Sequence, residues 1–315
     1  MMDAALPPIP TSPVARYWTA TRPYSFTAAV VPVLLGSLVA VYALRPLYFD
    51  FWAFVLTIVG AIAIQAVANV VNDFYDSEVG LDRHDNYGAL NAIVRGVISD
   101  QEAKRLIAGT GVVAFGIGLW FMARVGWQSW WLILGGGLLA FFYTAPPVQL
   151  KHHALGDLAV ALGFGLGIAY GSFLVQAHNK TEAFEFPGGQ LLLYILPSLF
   201  LVVAILHANN HRDREADRAA GAATIANTLT LPASRWVLRA LLVAPYVVVL
   251  FSVVFRIAAL AWALTLVTLP LAILLERRAA RDDVEGMYVP DVAKLHGLFG
   301  IVGTIALIFA NVFAK

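Results

Sequence analysis

Residues 51–82 read FWAFVLTIVGAIAIQAVANVVNDFYDSEVGLD. Its first part, 51–71, is almost wholly apolar, and about 20 such residues in a helix cross a hydrocarbon core of roughly 30 Å. The last part is the reverse. Asn69, Asn72, Asp73 and Asp76 recur at three- and four-residue intervals, so a helix continuing through them carries all four on one face. The segment thus predicts a membrane helix that ends in a carboxylate stripe, with Glu78, Asp82 and Asp85 just beyond it.

The rest of the chain repeats the apolar half of this pattern. Hydrophobic residues make up 60%, charged residues 13%, and the mean hydropathy is +0.74, outside the range of a soluble globular domain. By the ~20-residue yardstick there are about nine spans: 24–44, 51–71, 106–125, 127–143, 155–176, 190–208, 236–255, 258–275 and 295–313. The fourth is the weakest, because Gly135 to Gly137 and then Pro146 and Pro147 interrupt it. The expected fold is an all-α membrane protein, a single transmembrane domain over 1–315 with a polar segment at 1–21. A net charge of +1 argues against a nucleic-acid surface. The absence of cysteine excludes disulfides, thiolate metal sites and a cysteine nucleophile.

A second polar stripe lies at 209–217, NNHRDREAD, where Asn209, Asp213 and Asp217 recur at i, i+4 and i+8. It follows the sixth span as the first follows the second. Both stripes therefore fall on one membrane face, four helices apart, which suggests two four-helix units and one added helix. On that face and at the other near ends stand 16 basic residues against 5 opposite. Basic loops favour the cytoplasm, so the N-terminus and the stripes are expected there, in a bacterial inner membrane.

Charged residues entering a bilayer cost about 2.5–3.5 kcal/mol each at a helix centre. Clustered carboxylates also repel one another, and a hard divalent cation offsets both costs. Magnesium commonly takes one or two carboxylates plus phosphate oxygens, so two such stripes facing each other would hold a diphosphate between metals. A solvated helix end is the plain alternative for one stripe, but it does not account for two on one face. An ion-coupled transporter is a further alternative, although its charges should lie near the midplane in broken helices.

At these residues the sequence resembles the UbiA superfamily of intramembrane prenyltransferases, from RPYSFTAAVVPVLLGS at Arg22 onward. The spacing of Asp73, Asp76 and Asp82 and the motif NNHRDREADRAAGAAT are most similar to the 1,4-dihydroxy-2-naphthoate branch of menaquinone synthesis. Two positions depart from that pattern. Ala222 and Ala223 precede Thr224 where a basic residue is common, and His211 replaces an apolar residue.

The resemblance implies transfer from a polyprenyl diphosphate, in membrane lipid, to an aromatic acceptor, with magnesium as cofactor. Dihydroxynaphthoate is the expected acceptor, prenylated with loss of carbon dioxide; 4-hydroxybenzoate, homogentisate, a haem or a lipid are the alternatives. Asp73, Asp76, Asp82, Asp213 and Asp217 would carry the metals. Asn69, Asn72, Asn209, Arg95 and Arg212 would bind or orient the diphosphate, with Lys104 and Arg105 as weaker candidates. Tyr143 would face the allylic cation with its ring, and Lys151 would bind phosphate. Arg22 would meet an acceptor carboxylate, although from position alone it reads as an interfacial anchor. Asp157 reads as a helix-start carboxylate, and His211 receives no catalytic role.

Overall fold

The computed structural model describes residues 8–44, 48–78, 91–178 and 188–313. Asp82 and Asp85 lie outside the described residues. Among the described residues eight helices are long and apolar enough to cross a membrane, and a ninth apolar helix is shorter. They are α1 (Pro23–Ala43), α2 (Phe51–Glu78), α3 (Asp100–Val125), α4 (Trp130–Phe142), α5 (Gly156–Ala177), α6 (Gly188–Arg212), α7 (Leu231–Val254), α8 (Leu260–Ala280) and α9 (Tyr288–Phe313). Against the expected count of about nine stand these eight spans and, where the fourth and weakest was expected, one short apolar helix. At α4, 13 residues give only about 20 Å of helical rise, and its end is set by the loop that carries Pro146 and Pro147.

Polar residues at the helix ends define two faces. On one, Asp50 caps α2 by accepting from the Ala53 amide at 3.0 Å. Arg124 at the end of α3 donates to Asp50 at 2.8 Å and to the Val175 carbonyl of α5 at 3.0 Å. The Ala53 amide first, and Arg124 with it, hold the Asp50 carboxyl below its ordinary range. The other face carries the end of α2 beyond residue 71, the end of α6 and the start of α3, which Ser99 and Glu102 close with a capping box. Short α4 returns the chain from the Arg124 face to this motif face.

Between the faces, close helix approaches build the core. The Trp262 ring meets Tyr194 at 5.0 Å and Phe299 at 5.9 Å, both edge-on. Gly36 lets α1 lie against α5 so closely that a Cβ there would stand 2.1 Å from the Ala169 carbonyl oxygen. Small residues commonly serve helix contacts in lipid this way. Along α5 the stretch Ala161–Gly167 widens into a π-helical segment, where Gly165 leaves room for Leu199 of α6. Apolar side chains on α3, such as Val112 and Phe115, point outward at 72% and 62% exposure, as a lipid-facing helix requires. This is an integral membrane protein.

Candidate active site

The first stripe forms as its spacing predicts, but each member already has a protein partner. Asp73 and Asp76 are 1% and 2% exposed. Arg22 donates to Asp73 Oδ1, and the Ala92 amide donates to Oδ2 at 2.8 Å. Asn91 clamps the same turn by donating to the Asp73 carbonyl at 2.7 Å. Lys151 donates to both Asp76 oxygens, at 2.6 Å to Oδ1, and to Asn72 Oδ1 at 3.1 Å. Asn72 in turn donates to Asp76 at 2.9 Å, and Thr144 donates to Asn72 at 3.1 Å. One turn deeper, Asn69 donates to the Thr21 carbonyl at 2.8 Å and to Ser25 Oγ at 2.9 Å.

Arg22 is therefore not an interfacial anchor. A left-handed backbone at φ 53° separates the amphipathic helix Pro13–Ala20 from α1 and turns this guanidinium onto Asp73. Lys104 is turned aside, stacked on Phe74 at 5.0 Å, and Arg105 is exposed. Arg95 sits in the turn after Asn91, whose backbone is anchored to Asp73.

The second stripe survives a break in its helix. α6 ends at Arg212, Asp213 leaves helical geometry, and Arg214–Ala219 continues beyond it. The amide of Asp213 still donates to the Asn209 carbonyl at 3.0 Å, and that of Asp217 to the Asp213 carbonyl at 2.9 Å, which keeps all three on one side. Arg212 grips Asp213 with two donors at 2.7 Å each and reaches Asn209 Oδ1 at 2.8 Å. Such two-point pairing is the guanidinium's preferred geometry.

Two connections absent from the sequence reading join the stripes. The loop carrying Lys151 pairs with the loop after the second motif: the Ala154 amide donates to the Ala223 carbonyl at 2.6 Å, and the Ala223 amide to the His152 carbonyl at 3.0 Å. Ala222 and Ala223, which stand where a basic residue was expected, thus lie one to two residues across the pairing from Lys151. Tyr143 is the second connection. Its carbonyl accepts from the Lys151 amide at 3.0 Å. Burial first, and then the carboxylates of Asp157, Asp76 and Asp217, push its phenol well above the ordinary tyrosine range. The Tyr143 hydroxyl lies against the start of α5, where a Cβ on Gly156 would stand 3.4 Å from it.

Beneath the second motif, sequence reasoning missed a buried polar network. Asp157 faces His207 Nδ1 at 2.9 Å and accepts from Asn210 at 3.3 Å. His211, far from being merely tolerated, meets Ser234 Oγ at 2.7 Å and Asp282 at 2.9 Å. These contacts bind α5, α6, α7 and the α8–α9 turn together. Only the Asn91 turn left a sequence signal: its Oδ1 accepts from the Ile93 amide at 2.8 Å, a turn that asparagine favours.

Comparison with known proteins bears on the family and the fold. The sequence profile of the UbiA prenyltransferase family matches residues 29–286. UbiA prenyltransferase domain-containing protein 1 of Xenopus tropicalis is 32% identical over 305 residues, covering 94% of this chain and 82% of that protein. The protein of the same name from Homo sapiens is 31% identical over 302 residues, with 94% and 84% covered. Among solved structures, a UbiA homologue from Aeropyrum pernix K1 superposes with a TM-score of 0.68 at 16% identity, over 96% of this chain and 98% of that one. A UbiA homologue from Archaeoglobus fulgidus bound to GPP and Mg2+ gives 0.62 at 15% identity, over 93% and 99%. The matched relatives named here are eukaryotic or archaeal and lend no support to a bacterial inner membrane, nor do their names single out the dihydroxynaphthoate branch. With paired aspartate motifs on one membrane face, the fold and a profile match over most of its length, this chain belongs to the UbiA prenyltransferase family.

Proposed function

We propose that the protein transfers a prenyl group from a prenyl diphosphate to an acceptor dissolved in or at the membrane, on the face where α2 and α6 end. The observation that carries this reading is the backbone pairing of His152–Ala154 with Ala223, which sets Lys151, bonded to Asp76 of the first motif, beside the loop that follows the second. The solved Archaeoglobus fulgidus homologues bound to GPP or DMAPP with Mg2+ support the donor class. The wider family reading fits the matched relatives better than the dihydroxynaphthoate branch, so the acceptor is left to experiment.

The donor set suits magnesium. Its atoms are hard oxygens from carboxylates and amides. Among the described residues no three carboxylate or histidine side chains converge as a metal cage; magnesium usually takes few protein carboxylates and completes its shell with phosphate oxygens and water. Asp76 and Asp73 on one side, and Asp213 and Asp217 on the other, would hold it, with Asp82 completing the first motif. Bound there, the ion supplies neutralisation of the diphosphate charge.

The chain's own groups do the rest. Lys151, Arg22 and Arg212 would bind the diphosphate, exchanging Asp76, Asp73 and Asp213 for phosphate oxygens, and Arg95 would add a further contact from the turn after Asn91. Asn69, Asn72 and Asn209 would orient it. As the allylic carbon–oxygen bond breaks and pyrophosphate leaves with the electron pair, the Tyr143 ring would face the carbocation. The acceptor forms the new bond to the allylic carbon and releases a proton, which the departing pyrophosphate takes up.

The test is purified protein with magnesium, radiolabelled geranyl diphosphate and a panel of dihydroxynaphthoate, hydroxybenzoate, homogentisate and lipid-alcohol acceptors. Transfer to one of them, lost in Asp76→Ala and Asp213→Ala while both variants remain folded, is the expected result. Near-normal turnover in both variants would remove the two motifs from the reaction. Transfer to dihydroxynaphthoate alone would restore the narrower branch.

A further inference from the structure

A groove between α7 and α8 shares no lining residue with the site. Val243 and Ile273 form its rims, 47% and 41% exposed, over buried Leu242 and Ala272, and it encloses a cavity of about 110 Å³. The Tyr246 hydroxyl is turned away to Thr268 at 2.7 Å, so the lining is apolar apart from Glu276 at one end. That end lies on the motif face, because Asp282, just past α8, is bonded to His211 of α6.

Helical spacing puts arginines at this mouth. Arg239 stands one turn from Val243, and Arg235 one turn further; Arg277 stands one turn from Ile273, and Arg281 one turn further. Two of the four are answered: Arg239 donates to Glu276 at 2.6 Å while stacking on Trp236 at 4.1 Å, and Arg235 pairs with Asp282 at 3.1 Å. Arg277 and Arg281 are exposed residues, with no hydrogen bond or ion pair among the described residues.

An apolar cleft open to lipid and ending in uncompensated positive charge fits one component of a bilayer. We propose that this groove binds an anionic phospholipid from the leaflet on the motif face, with an acyl chain along Val243 and Ile273 and the headgroup phosphate against Arg277 and Arg281. Basic pockets between membrane helices recognise acidic headgroups through the same combination of charge and donors. A choline headgroup carries its own cation and lacks the net charge that two unpaired guanidiniums select.

The experiment is native mass spectrometry of the purified full chain with dioleoyl phosphatidylglycerol and, separately, dioleoyl phosphatidylcholine. Wild type should retain the glycerol lipid preferentially. The double variant Arg277→Gln/Arg281→Gln should weaken that binding about thirtyfold, the effect of two juxtamembrane cations. Arg256→Gln, exposed on the opposite face, should leave it unchanged. Ala272→Phe, which fills the cleft without touching charge, should displace the lipid while the arginines remain. Equal retention of both lipids by wild type would overturn the proposal, as would unchanged binding in the double variant, or an equal loss in Arg256→Gln.

Discussion

Lys151 donates to Asp76 Oδ1 at 2.6 Å across 75 residues of sequence. The contact links the α4–α5 loop to the last turns of α2, with side chains 16% and 3% exposed. An aspartate this deeply buried needs a countercharge, and in the absence of metal Lys151 provides it.

Lys151→Met removes that cation and leaves Asp76 buried and unpaired, a change that typically costs about 3–5 kcal/mol. The variant should lose transfer activity and melt at a lower temperature. Because a metal on Asp76 restores a countercharge, magnesium with a prenyl diphosphate should raise the Tm of Lys151→Met more than that of wild type. Equal shifts in the two proteins would argue against metal at Asp76.

Asp73 and Asp213 should separate in stability. Asp73 accepts from Arg22 and from the Ala92 amide at 2.8 Å, and so anchors the 91–98 turn. Among the described residues the Asp213 side chain is engaged by its neighbour Arg212 alone. Asp73→Asn should therefore lower Tm more than Asp213→Asn, by about 1–3 kcal/mol of added cost for the disturbed buried acceptor, with transfer lost in both. Thermal unfolding in one detergent, beside the transfer assay, decides this.

Gly36 and Gly116 should respond oppositely to alanine. At Gly36 a Cβ would stand 2.1 Å from the Ala169 backbone oxygen, so α1 and α5 must separate, at a cost of about 1–3 kcal/mol or more. At Gly116 a Cβ would meet, among the described residues, nothing within 4 Å beyond its chain neighbours and its own helix backbone, so Gly116→Ala should be neutral or stabilising by up to about 1 kcal/mol through helix propensity. Paired Tm measurements check the sign of each.

His152 should make the protein sensitive to acid. Burial first, and then the neighbouring Lys151 ammonium, lower its pKa from 6.5 to about 4. Above pH 6.5 His152 is neutral whether folded or unfolded and has no effect. Between 6.5 and 4 the unfolded chain takes up the proton and the folded chain does not, so stability falls as pH drops through this window. His152→Gln should flatten that part of the Tm–pH curve and leave Tm above pH 7 nearly unchanged.

Much of this was legible in the sequence because it depends on local periodicity. The α2 run from Phe51 to Glu78 announces its span by hydropathy and its polar face by the spacing of Asn69, Asn72, Asp73 and Asp76. The stripe Asn209, Asp213 and Asp217 is equally regular, and the helix break at Asp213 did not disturb it. Short α4 was marked as the weakest span by its glycines and the prolines after it. Partners were not legible. Nothing local distinguishes Arg22 from an interfacial arginine, or Lys104 from a phosphate ligand, until the fold supplies Asp73 to one and Phe74 to the other.

The sequence by itself determined a helical membrane protein with two carboxylate stripes on a common face, since solvent transfer and helical pitch act over neighbouring residues. Only the tertiary structure decided which cations meet Asp73 and Asp76, and that the His152–Ala154 backbone pairs with Ala223. Those contacts join positions tens of residues apart, and their geometry comes from helix packing, which no window along the chain contains.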